Sequence, residues 1–289
     1  MPIDVGRALS AEPSSTRITW GHKDVQLYHL GIGAGVPATD PQELRYTLES
    51  RLHVLPSFAT VAGGGAGVLD GLSAPGIDVD LAAVLHGGQS IEVHRPVPVD
   101  GSATQTSSVA AVHDKGKAAV IVLRTEAADG DGPLWTSEAQ LYVRGEGGFG
   151  GDRGPSPAHG TPERAADHEV RVGVREDQAL LYRLSGDWNP LHADPEFAAL
   201  AGFDRPILHG LCSYGMVLKA VVDTVLGGDV TRVTRYSTRF AGVVFPGETL
   251  RVRMWSEREQ EGEGRVRLSV SAVERGDAPV LTDAVVAHV

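Results

Sequence analysis

The chain is poor in cysteine, in positive charge and in long apolar runs, and each shortage excludes something. A single cysteine, Cys212, in 289 residues rules out an intrachain disulfide and leads us to expect a reducing compartment. Lys and Arg number 26 against 37 Asp and Glu, a formal balance of −11. Such a surface repels nucleic acid and anionic membranes, and no local basic patch offsets it. No stretch approaches the roughly 20 apolar residues of a spanning helix. The opening "MPIDVGRALSAEPSSTRITW" lacks a basic head followed by an apolar core, so we expect no signal peptide and a cytoplasmic protein. Glycine and proline are plentiful, 36 and 17 residues, beside an ordinary apolar share of 42%. That combination describes a loop-rich globular chain with substantial sheet.

The length allows two domains with real cores. Apolar periodicity vanishes in "GEGGFGGDRGPSPAHGTPERAAD", which divides the chain into residues 1–150, a linker at 151–166, and residues 167–289. Before the break, Ala118 to Thr125 and Leu134 to Arg144 read as strands joined by a Gly-Asp-Gly turn. After it, "RVRLSVSAVERGDAPVLTDAVVAHV" repeats the scheme with its turn near Gly276. The match extends upstream, so the halves read as two copies of one sheet unit, although any two antiparallel meanders share such features.

The helices differ between halves. "HGLCSYGMVLKAVVDTVLG" is long and carries small or apolar residues on most faces, as a buried helix does. The first half offers "DPQELRYTLESRL", with Asp40 as N-cap and Pro41 in the first turn, and then the glycine-rich "VAGGGAGVLDGLSAPG". A full-length core helix is missing there, and we expect the vacated space to hold substrate, with room for medium, long or bulky groups.

The densest chemistry lies in "LSGDWNPLH", Leu184 to His192. A short helix from Asp177 should end at Ser185-Gly186, Pro190 keeps Asn189 extended, and "ADPEFAALAG" starts a new helix capped by Asp194. The turn between is pinned at both ends. It carries Asp187 and His192 as a natural acid/base pair, and the Asn189 amide can orient either one. Taken singly, these residues could merely cap a turn or fill a core; together their spacing is far more specific.

"YRLSGDWNPLHADPEFAALAGFDRPILHG" closely resembles the signature of the MaoC-like (R)-specific hydratase/dehydratases, the type 2 enoyl-CoA hydratases. "DVQLYHLGIGAG", "LPSFATVAG", "LHGGQSIEVHRPVP" and "LYVRGEGGFGG" resemble the N-terminal portion of the two-repeat members. The resemblance implies an α+β double hot-dog fold, each repeat an antiparallel sheet wrapped around a helix, the first with a shortened one. It implies reversible hydration of trans-2-enoyl-CoA to (3R)-3-hydroxyacyl-CoA. Coenzyme A would be part of the substrate, with no cofactor and no metal, and a homodimer is expected by the same likeness. Asp187 and His192 correspond to the catalytic pair, Asn189 to its support, and Gly210 to the backbone oxyanion donor. His86, Gly87, Lys115 and Phe240 correspond to substrate contacts. Gly210 would also open the long helix, where free amides and the helix dipole favour developing negative charge.

Rival readings are a hot-dog acyl-CoA thioesterase and a silent acyl-CoA-binding subunit. "GIGAG" lacks the step into a helix that a dinucleotide site needs. Asp187, His192, Asp194 and His209 lack the one-turn helical spacing of zinc enzymes, and Ser185 lacks the nucleophile-elbow motif.

Overall fold

A computed structural model describes residues 3–64, 72–156, 160–258 and 263–289. The middle of the glycine-rich stretch and residues 157–159 of the expected linker lie outside them. The strands are β1 (Ser14–Trp20), β2 (Val84–Val93), β3 (Gly101–Asp114), β4 (Ala118–Asp129), β5 (Gly132–Arg144), β6 (His168–Gly173), β7 (Val233–Phe240), β8 (Thr249–Arg258), β9 (Gly264–Ala272) and β10 (Ala278–His288). The helices are α1 (Val5–Leu9), α2 (His22–Gly31), α3 (Leu44–Thr47), α4 (Gln178–Tyr182), α5 (Pro195–Leu200) and α6 (Gly210–Val225). No helix among the described residues is long and apolar enough to cross a membrane.

All ten strands join one sheet in the order β1-β3-β4-β5-β2-β7-β10-β9-β8-β6, every pairing antiparallel. The two halves therefore supply five strands each and meet edge to edge where Gly88 pairs with Arg239 and Glu92 with Arg235. This is the doubled hot-dog arrangement, closed within one chain. The join removes two sheet edges that would otherwise expose unpaired N–H and C=O groups.

In the second half the inner face presents Leu250, Val252, Met254, Val266, Leu268 and Val270, all buried against a core shared with α6. Helix α6 buries Cys212, Met216, Val217, Leu218, Val221 and Val222, the burial its all-round apolarity demands. Each such large apolar side chain stabilises the fold by roughly 1.5–3 kcal/mol. Lys219 emerges from this helix to form ion pairs with Glu43 at 2.6 Å and Asp223 at 2.8 Å, and Tyr46 donates to Asp223 at 2.7 Å. This nearly dry cluster ties α6 to the first half.

The first half departs from expectation in two ways. The helix anticipated from Asp40 shrinks to the four residues of α3: Asp40 turns its carboxylate onto the Gln42 N–H and the chain stays in turns up to Glu43. A helix not anticipated, α2, forms at His22–Gly31, its start fixed by Asp24 accepting the Gly21 N–H and Asp100 accepting the His22 N–H. Tyr28 on α2 packs against Tyr182 of α4 and lies beside Gly215 of α6, so α2 serves the core between the halves. The sheet of the first half is covered instead by a 3-10 turn, Pro56–Thr60, whose Phe58 packs on Trp20, itself against Trp135. Beside this turn a cavity of about 270 Å³ remains, lined by Leu52, Val54, Pro56, Val93, Val97 and Val230 among others.

Candidate active site

The short helix α4 runs into a 3-10 turn, Arg183–Ser185, and stops at Gly186 with φ +126. A Cβ at Gly186 would fall 2.2 Å from the Gly64 carbonyl oxygen, so only glycine lets this turn lie against the 61–64 loop. Asp187 follows directly. Its carboxylate accepts the Asn189 N–H at 3.1 Å, and the Asn189 carboxamide oxygen accepts the Leu191 N–H at 3.0 Å. Asn189 thus acts through the turn's backbone, capping the 3-10 segment Pro190–His192. Asp194 caps α5 through the N–H groups of Glu196 and Phe197, as the sequence indicated. Trp188 is 58% exposed; Arg183 stacks its guanidinium 5.0 Å from the indole and donates to the Trp188 carbonyl at 3.0 Å, bracing the turn from outside.

Beyond α5 the chain returns beside this turn. Ile207 N–H donates to Leu191 O, and Leu208 N–H to Val244 O, which delivers His209 and Gly210 to the turn. His192 Nδ1 lies 2.8 Å from Ile207 O; a carbonyl only accepts, so Nδ1 carries the proton and Nε2 keeps its lone pair. His209 Nε2 likewise donates to Asp187 O at 3.2 Å. The two imidazoles stack with centroids 3.7 Å apart and planes 28° from parallel. Burial lowers the pKa of both, His209 more strongly because His192 adds a second potential positive charge beside it. Both rings therefore stay neutral at ordinary pH.

Ligand atoms of Asp187, His192 and His209 lie within 4.8 Å of one another. Lone pairs of stacked rings lie in nearly parallel planes and do not converge on one point, whereas a tetrahedral ion needs them to converge at about 2.0–2.1 Å. The arrangement suits a water molecule better than an ion.

Gly210 is the first residue of α6, and its N–H has no hydrogen-bond partner among the described residues. A Cβ there would stand 3.2 Å from the Phe240 ring, so glycine keeps the helix start in close contact with that ring. The Phe240 ring meets His86 edge to face at 4.9 Å. Gly87 is skipped in the pairing of β2 with β5, and that bulge turns His86 toward this group. Burial pushes the His86 pKa down to about 4, against the hydrogen bonds to Gln89 and the Gly88 backbone and a smaller pull from the Asp187 charge. Asp187, Asn189, His192, Gly210, Phe240, His86 and Gly87 thus belong to one neighbourhood.

Lys115 does not join it. At the β3–β4 turn its ammonium donates to the carbonyls of Arg153 and Pro155, fastening the linker. Two contacts escaped the sequence reading. His209 belongs to the quoted signature as the residue before Gly210 and was considered and set aside as a metal ligand, but its contact with His192 had no sequence signal. Gln89, whose Oε1 lies 3.1 Å from His86 Nε2, carried no sequence signal.

A family model for the MaoC-like domain matches residues 157–275, and one for the N-terminal domain of MFE-2 hydratase 2 matches residues 19–145. The enoyl-CoA hydratase ChsH3 of Mycobacterium tuberculosis is 49% identical over 284 residues, 98% of either chain. The peroxisomal enoyl-CoA hydratase 2 of Arabidopsis thaliana is 43% identical over 84% of either chain. A MaoC-like dehydratase from Phytophthora capsici superposes with a TM-score of 0.87 at 32% identity, over 99% of this chain and 98% of that one. On sequence, fold and the arrangement of the Asp187–His192 turn against the head of α6, the chain belongs to the MaoC-like hydratase 2 family.

Proposed function

We propose that the chain hydrates trans-2-enoyl-CoA to (3R)-3-hydroxyacyl-CoA and catalyses the reverse dehydration, with Asp187 and His192 as the acid/base pair. The observation that carries this reading is His192, whose Nδ1 is committed to Ile207 O so that Nε2 keeps its lone pair, with a ring nitrogen within 4.8 Å of an Asp187 carboxylate oxygen and a helix start nearby whose N–H makes no hydrogen bond among the described residues. A thioester carbonyl on the Gly210 N–H draws electron density from C3, since the amide and the helix dipole favour the negative charge that develops on that oxygen. Water held between the carboxylate and Nε2 loses a proton as its oxygen bonds to C3. The C2=C3 electrons move toward the thioester, and a proton is delivered to C2. Both proton movements pass through the same pair, which ends the cycle as it began.

The relatives' names support this chemistry: alongside the two hydratases, a 3-hydroxyacyl-thioester dehydratase Y of Mycobacterium tuberculosis is 41% identical over 91% of either chain. The reading needs no metal and no cofactor beyond the CoA of the substrate. Its test is to mix the purified chain with crotonyl-CoA and a longer enoyl-CoA, following the enoyl absorbance and free thiol together and determining product configuration by chiral chromatography. Asp187→Asn and His192→Ala should each lower turnover at least about a hundredfold with the fold intact, as for acid/base groups. Thiol release without hydration would instead make the chain a thioesterase, and near-normal turnover in either variant would remove that residue from the mechanism.

A further inference from the structure

The inner faces of the two half-sheets differ in chemistry. Around α6 the second half lines its face with Val, Leu, Met and Ala. In the first half the register sets Ser107, Thr125 and Ser137 side by side on β3, β4 and β5. This row of hydroxyls separates two apolar clusters, one around Trp20 and Trp135 and the other around Leu123 and Leu141. A small cavity of about 30 Å³ opens on the band, walled by Thr60, Gln89, Gln105, Thr125, Ser137 and Leu211 among others. Every wall residue is uncharged.

Most of these polar groups already have one partner. Gln89 Nε2 donates to Ser137 Oγ at 2.7 Å, Thr125 Oγ1 lies 3.3 Å from Ser107 Oγ, and Thr60 donates to Ser57 O at 2.8 Å. Gln105 does not: it is 8% exposed, and its carboxamide, with no hydrogen bond to the described residues, keeps an accessible edge where it lines the cavity. A face that served only to close a core would be apolar, as its counterpart in the second half is. The cavity also adjoins the reaction site. Leu211 follows Gly210, and Gln89 reaches His86, whose ring touches Phe240.

We propose that this cavity receives an uncharged oxygen function, a hydroxyl or a ketone, carried by the acyl group away from the thioester, with Gln105, Thr125 and Ser137 as its recognition groups. The proposal rests on the hydratase reading and names the acyl class that site selects. The absence of charged groups from the wall disfavours a carboxylate at this position, because a buried anion needs a cationic or multiply donating partner.

The test compares trans-2-enoyl-CoAs of one medium chain length, unsubstituted or bearing a hydroxyl or ketone at successive positions along the chain. One oxygenated isomer should show kcat/KM at least about tenfold above the unsubstituted thioester, the discrimination expected of a site built to hydrogen-bond its substrate. Gln105→Leu and Thr125→Val, near-isosteric changes checked for folding by thermal melting, should bring that ratio close to one. Equal kcat/KM across the whole series, or a preference that survives in both folded variants, would mean that the band holds water only, and would overturn the proposal. Hydration of none of the thioesters would remove the hydratase reading itself and this proposal with it.

Discussion

Replacing Gly186 by alanine tests how the catalytic turn is held. The new Cβ would lie 2.2 Å from the Gly64 carbonyl oxygen, where contacts under 3.0 Å are essentially never seen, so turn and loop must part by roughly 0.8 Å. At φ +126 an L-residue is also strained, by about 1–3 kcal/mol. Together these should cost roughly 2–4 kcal/mol of stability, read as a lower denaturation midpoint with unchanged m-value. Asp187 is the next residue, and a misplacement near 1 Å at a reacting group costs about a hundredfold in rate. Turnover should fall by that order while the circular dichroism spectrum stays native. Gly64→Ala is the control. Gly64 also has positive φ, +85, but a Cβ there meets nothing within 4 Å among the described residues, so it should cost about 1–2 kcal/mol of backbone strain and leave turnover near normal. If Gly186→Ala kept both stability and turnover, or if the two variants behaved alike, close approach to Gly64 would not be what positions Asp187.

Three further outcomes follow from buried titratable groups. His29 is fully buried, its Nδ1–H donating to Tyr46 O and its Nε2 accepting the Leu55 N–H at 3.3 Å, and desolvation lowers its pKa from 6.5 to about 4. Between these values the unfolded chain binds a proton that the native chain refuses, so stability is intact above pH 6.5 and declines by up to about 3 kcal/mol as pH falls toward 4. Urea titrations at stepped pH should show this slope for the wild type and a shallower one for His29→Gln; equal slopes would refute the assignment. By the same sign His192, also lowered, stays neutral below pH 6.5, so hydration should persist into mildly acidic buffer until the fold itself weakens. Cys212 is fully buried and its thiol pKa is raised by desolvation, so a thiol reagent should label the chain only after denaturant is added. Stoichiometric labelling of the native protein would contradict that burial.

The strand pairs flanking the Gly-Asp-Gly turn and Gly276 were legible because apolar alternation and turn residues are local properties, and β4, β5, β9 and β10 stand where these signals put them. The Asp187–His192 turn was legible for the same reason: Gly186, Pro190 and Asp194 act on their own neighbours, so their effect can be read without knowing the fold. Helix α6 announced itself by carrying small or apolar residues on most faces, a pattern typical of a buried helix. The short helix α3 was overestimated, since a good N-cap and proline make a beginning but do not supply the packing that sustains a helix. Helix α2 went unseen because its burial is divided between α4 and α6, elements far away in sequence.

Sequence alone thus determined how the turn carrying Asp187, Asn189 and His192 is built, because capping, proline geometry and glycine freedom operate over a few residues. Only the tertiary structure could decide two things: that His209 stacks on His192, and that three strands set their hydroxyls in one row against a small cavity. Each depends on the register and approach of segments far apart along the chain, which are chosen by the packing of the whole core and leave no local trace.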